Sequence, residues 1–74
     1  MEPLKAETAH ITSRSRDGLT TIWGLTIANK QVIESASLRL VLQRAREILG
    51  RVVISVFDQD RMAFVSELVV DEYW

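Results

Sequence analysis

Four arginines fall within the seventeen residues SASLRLVLQRAREILGR (35–51): Arg39, Arg44, Arg46 and Arg51. Gathered on one helical face, they would form a ridge suited to phosphates. At about 100° per residue, however, Leu38, Val41, Leu42, Ala45, Ile48 and Leu49 occupy an arc of roughly 120°, the width of a core-facing stripe. Arg39 and Arg46 border one side of that stripe and Arg44 and Arg51 the other, with Glu47 in reach of Arg44 and Arg51. The pattern predicts arginines whose stems lie over core edges and whose heads reach water. Leu40 points away from the stripe, and its outward position marks it as a candidate contact for a partner or a second copy.

Other chemistry-bearing residues are sparse. Thr12-Ser13-Arg14-Ser15-Arg16 can donate to phosphates, but no aromatic is interleaved on which a base would stack. A nucleic-acid surface would therefore draw on Arg14 and Arg16 together with Arg39 and Arg46. Asp58-Gln59-Asp60 pairs two carboxylates, but no glycine or closing glutamate follows at calcium-loop spacing, so they read as turn residues. One histidine (His10) and no cysteine leave no thiolate nucleophile, disulfide or ordinary zinc set. No Gly-rich phosphate loop is present. The expectation is a non-enzymatic chain without metal or cofactor.

These residues must be positioned by a small fold. The chain has 74 residues, enough for one domain (1–74) with a marginal core. Hydrophobic residues make up 47% and charged residues 26%, ordinary for a soluble protein. No apolar run approaches the roughly 20 residues needed to cross a bilayer. The polar start MEPLKAETAH lacks the pattern of a signal peptide, so the expected location is cytoplasmic. The small size also suits a phage or mobile-element accessory protein.

Residues 1–8 read as a loose arm and 71–74 as a tail. Asp17-Gly18 signals a hairpin between a weak strand at 9–15 and a stronger one from Leu19 to Ala28. In the latter, Leu19, Thr21, Trp23, Leu25 and Ile27 share one face, and Gly24 in mid-strand suggests a bulge or a close backbone neighbour. A turn is expected at Asn29-Lys30, and Gln31–Ile33 are long enough for only a short strand. Ser35 or Ser37 can cap the helix and Gly50 can end it. Val52–Asp58 and Met62–Val70 form a closing hairpin. The expected fold is α+β, a four-stranded and mainly antiparallel sheet with one helix on one face, in β-β-α-β-β order.

The last two strands are apolar on both sides. Val52, Ile54 and Val56 oppose Val53 and Phe57, and Met62, Phe64, Leu68 and Val70 oppose Ala63, Val65 and Val69. One helix covers one face, so the other needs a cover. Residues 9–51 carry seven basic and three acidic side chains, a net +4, and residues 52–74 carry one basic and five acidic, a net −4. Opposed charge suits surfaces that meet in a dimer. The leading expectation is a small protein-binding or regulatory module acting as a homo-oligomer, with Leu40, Val53, Phe57, Val65, Val69, Tyr73 and Trp74 as candidate contacts. The alternatives are a nucleic-acid-binding regulator and a small-ligand binder with a pocket between subunits.

Overall fold

The computed structural model describes the backbone of residues 4–70 and the side chains from Thr8 onward. Along these residues run β1 (Leu4–Ser15), β2 (Thr21–Ile27), β3 (Lys30–Ser35), α1 (Leu38–Leu49), β4 (Val52–Asp58) and β5 (Ala63–Val70). The five strands form one sheet in the order β3-β2-β1-β4-β5. The α+β class and single helix match the expectation. The strand count and pairing differ: there are five strands, not four, and the sheet is mixed, because β1 runs parallel to β4. The helix is the reason. It returns the chain across the sheet after the β1-β2-β3 meander, so β4 arrives pointing the same way as β1.

The fifth strand is β3, which exceeds its expected three residues. Ala28 and Asn29 both adopt positive φ (52° and 67°), and Ile27 pairs with Lys30. This is the geometry of a two-residue primed turn, whose twist matches the strands it joins. The turn sits one residue earlier than Asn29-Lys30, and a bulge at Val32 then brings Ile33 opposite Leu25.

Leu4–Thr8 are not a loose arm; they belong to β1, where Leu4 pairs with Val52 and the Thr8 carbonyl accepts from the Ala28 N–H at 2.8 Å. This strand is weakly apolar because its neighbours satisfy its backbone while only one of its faces meets the helix. The hairpin after it is longer than a two-residue turn. Arg16 N–H donates to the Thr20 carbonyl at 2.8 Å, so Asp17, Gly18 and Leu19 form the loop and Leu19 is 93% exposed.

The core lies between α1 and one sheet face. Val41, Leu42 and Ala45 pack on Ile11, Leu25, Ile54, Val56 and Val70, with Trp23, Ile27, Leu38 and Leu49 around them. Ile48, expected in the core stripe, is 49% exposed. Ser37 caps α1, its hydroxyl accepting from Leu40 N–H, and Gly50 ends it at φ 76° with its N–H donating to the Arg46 carbonyl. Both caps lie where the sequence places them.

Gly24 sits opposite Thr12 on the face away from the helix. A Cβ at position 24 would lie 2.6 Å from the Thr12 Oγ1. Gly24→Ala is expected to cost about 1–3 kcal/mol by overpacking. In a Thr12→Ala background the clash is gone, and the same change should become neutral or stabilising by up to about 1 kcal/mol, since glycine is the poorer strand residue. Urea unfolding of the four-variant cycle checks this sign reversal.

Asp17 supplies a pH test. Its Oδ1 accepts from the Leu19 and Thr20 N–H groups, both at 2.9 Å, and these bonds hold its carboxyl below the ordinary carboxylate value. A folded pKa below the unfolded one stabilises the fold above the unfolded value, and the gain is lost as pH falls through the folded value. The stability gap between the wild-type chain and Asp17→Asn is therefore expected at neutral pH and should narrow in acid. Urea unfolding across pH 2–7 measures it, and a gap independent of pH contradicts the bond pattern.

Candidate interaction face

The face of the sheet away from α1 carries the feature of greatest functional interest. Register assigns its residues. His10 of β1 lies beside Ser55 of β4, Val53 pairs with Val69, and Phe57 pairs with Phe64. Val52, Ile54 and Val56 alternate to the helix side. The expected division of β4 between two apolar faces is therefore present.

The division of β5 is different from the simple alternation. Val56 pairs with Ser66 while Phe57 pairs with Phe64, which leaves Val65 as an extra residue in a bulge. The bulge shifts the phase of the strand. Leu68 and Val70 face the helix, whereas Phe64, expected with them, joins Phe57 on the open side.

Three rings meet there. Phe57 and Phe64 stand edge to face at 5.1 Å, and His10 makes edge contacts with Phe57 at 6.4 Å and Phe64 at 6.2 Å. Such geometry sets ring edges against ring faces, the favoured arrangement of aromatic quadrupoles. Phe57 lies half-buried beneath Phe64, which is 64% exposed. Val65 and Val69 are 45% and 46% exposed. Val53 and Val69 form a second apolar pair on this face, separated from the rings by the Ser55–Glu67 pair.

The β1-β2-β3 side of this face is largely polar, although Ile22, opposite Arg14, is a buried apolar residue on it. Thr12, Thr26 and Gln31 lie there, and the Arg14 Nη2 donates to Glu34 Oε1 at 3.1 Å across β2. The open face is thus half apolar strip and half polar field, and the boundary runs along β1.

The candidate residues from the sequence separate accordingly. Val53, Phe57 and Val69 come together, with Val65 at the bulge beside them. Leu40 lies elsewhere, on the helix side of the sheet. It is 51% exposed and lines a shallow depression of about 150 Å³ with Ile33, Gln43, Arg44 and Glu47. Tyr73 and Trp74 fall outside the described residues.

The arginines proposed for a nucleic acid do not converge. Arg14 lies on the open face, paired with Glu34, whereas Arg39 and Arg46 ride on α1 with the sheet between them. Arg16 is in the first hairpin. Arg44 Nη1 donates to Glu47 Oε2 at 3.1 Å, as the helical spacing predicts.

Asp58 and Asp60 bind backbone. Asp58 Oδ1 accepts from Asp60 and Arg61 N–H groups at 2.9 and 3.3 Å, and Asp60 Oδ2 accepts from Ser15 N–H at 2.6 Å. With Gln59 N–H donating to the Ser13 carbonyl at 2.8 Å, the β4-β5 turn ties down the end of β1. No cluster of three or more metal-ligating side chains occurs among the described residues, and no helix among them is long and apolar enough to cross a membrane.

Sequence reasoning missed two members of the strip. His10 falls in the weak strand candidate at 9–15 with no partner foreseen, and alternation places Phe64 on the other face. The available signal was the near-symmetric placement of Phe57 and Phe64 about the turn DQDR, which brings the two rings opposite each other in a hairpin. Comparison with known protein families, curated proteins and solved structures finds no match for this chain.

The two phenylalanines differ in what they support. Phe57→Ala removes a half-buried ring and is expected to cost about 1–3 kcal/mol, and Phe64→Ala less than about 1 kcal/mol, because most of its surface is already wet. Urea unfolding of both variants provides the comparison, and equal losses would mean that Phe64 is structural.

Proposed function

We propose that this chain is a small non-enzymatic protein-binding or regulatory module that acts as a homo-oligomer, with the β4-β5 strip as its contact surface. The observation that carries the reading is Phe64, 64% exposed above Phe57 and His10 in the midst of other exposed apolar side chains. Isolated exposed leucines are common on proteins, but aromatic side chains gathered on one face are enriched at interface cores.

A second copy meets a need of this fold in particular. A chain of this length has a marginal core, it contains no cysteine, and no metal cluster gathers among its described residues. Burial of apolar surface contributes about 25 cal/mol per Å² before the costs of association, so even a few hundred Å² matters against the stability of a small domain.

Sedimentation equilibrium tests the proposal. The wild-type chain should self-associate by about 100 μM, and Phe64→Ser should weaken that association tenfold or more, about 1.4 kcal/mol. Leu19→Ser, at the exposed hairpin tip away from the strip, should leave it unchanged. A wild-type chain that stays monomeric overturns the homo-oligomeric reading.

A further inference from the structure

The sheet ends in two edge strands, β3 and β5, and their construction differs. An edge exposes a row of N–H and C=O groups that template a further strand unless charges, bulges or short length blunt it. β3 is blunted. It has six residues, begins with Lys30, holds Glu34 in its pair with Arg14, and is interrupted by a register shift against Leu25 and Thr26. β5 has eight residues, six of them exposed, and Glu67 is its single charged side chain. Its bulge at Val65 leaves Ser66–Val70 in regular pairing with Val52–Val56. Among the described residues no element pairs with its outer side.

We propose that the outer edge of β5 pairs antiparallel with the β5 edge of a second copy, so that two five-stranded sheets become one of ten strands. This rests on the homo-oligomeric reading and specifies its contact. The edge backbone selects an extended strand as occupant, since only a strand satisfies a row of alternating donors and acceptors. A second β5 is such a strand, and its apolar residues meet their own kind. Because each β5 carries one carboxylate, every antiparallel register except the one centred on Glu67 keeps like charges apart. Pairing β5 with itself also closes at two copies, whereas β5 on the β3 edge of another copy would continue without end.

The area required is a small share of the surface. A stable pair buries about 1,200 Å² in all. That is about 600 Å² per copy, a little over a tenth of the molecule's 5136 Å². Exposed β5 and its neighbour Met62, itself 73% exposed, lie along the proposed seam.

Proline at adjacent positions separates edge from face. Ser66 and Glu67 send their N–H groups to opposite sides of β5, so one of Ser66→Pro and Glu67→Pro breaks the ladder to β4 and the other blocks only the outer edge. The variant that keeps the wild-type circular dichroism should sediment with self-association weakened about tenfold or more. If that variant dimerises like wild type while Phe64→Ser does not, the contact is face to face; the edge inference fails and the homo-oligomeric reading stands. A wild-type chain that is monomeric at about 100 μM removes both. Hydrogen exchange covers the case in which both prolines unfold the sheet. Protection of the outward β5 amides should rise with protein concentration. Protection that is absent, or that is constant in a monomer because the chain's own ends cover the edge, overturns the inference.

Discussion

The parallel pairing of β1 with β4 is the contact on which the rest of the molecule depends. It joins the N-terminal meander to the C-terminal hairpin at the centre of the sheet, setting Ile11 beside Val56 on the helix side and His10 beside Ser55 on the other. Parallel strands cannot be joined by a tight turn, so the chain must cross the sheet between them, and α1 is that crossing. Its apolar stripe closes over Ile11, Leu25 and Ile54 because the crossing carries it above the two central strands. The same pairing brings a histidine from near one end of the chain against two phenylalanines from near the other.

The sequence made some elements legible and hid others for physical reasons. The helix was readable because its stripe, its serine cap and its terminal glycine agree with one another. β4 was readable from its run of β-branched residues, and the opposed faces of Val56 and Phe57 from plain alternation. β1 was not, because a central strand with one open face does not need apolar residues at every second position, and backbone pairing on both sides supports its threonines and serines. β3 was underestimated because its stability comes from Ala28 and Asn29 in a primed turn rather than from its own composition. Of the interaction strip, Val53, Phe57 and Val69 were legible, whereas Phe64 and His10 required a bulge and a long-range pairing.

The ion pairs of Arg14, Arg44 and Arg61 each lie within one half of the sequence, not between the basic and the acidic half. Arg14 is neutralised by Glu34 on one side of the sheet, and Arg44 by Glu47 on the other. The acidic residues Asp58 and Asp60 serve as turn-formers that anchor the end of β1. These bonds leave the difference in charge between the two halves as it is. Apolar surface is unevenly distributed as well, concentrated on β4 and β5 and bounded by the threonines and the ion pair of the polar half.

The bulge at Val65 gives this distribution an unusual mode of inheritance. The open face acquires Phe64 not through composition but through a phase slip of one residue in a pattern of period two. Exchange of one apolar side chain for another along β5 leaves the slip in place. Loss of Val65 would remove the bulge and still leave Phe64 directly before Ser66, on the open face opposite Phe57. The second face is therefore tolerant both of substitution and of loss of the bulge residue, and the change that would turn the ring to the helix side is a straightening of the strand that keeps Val65.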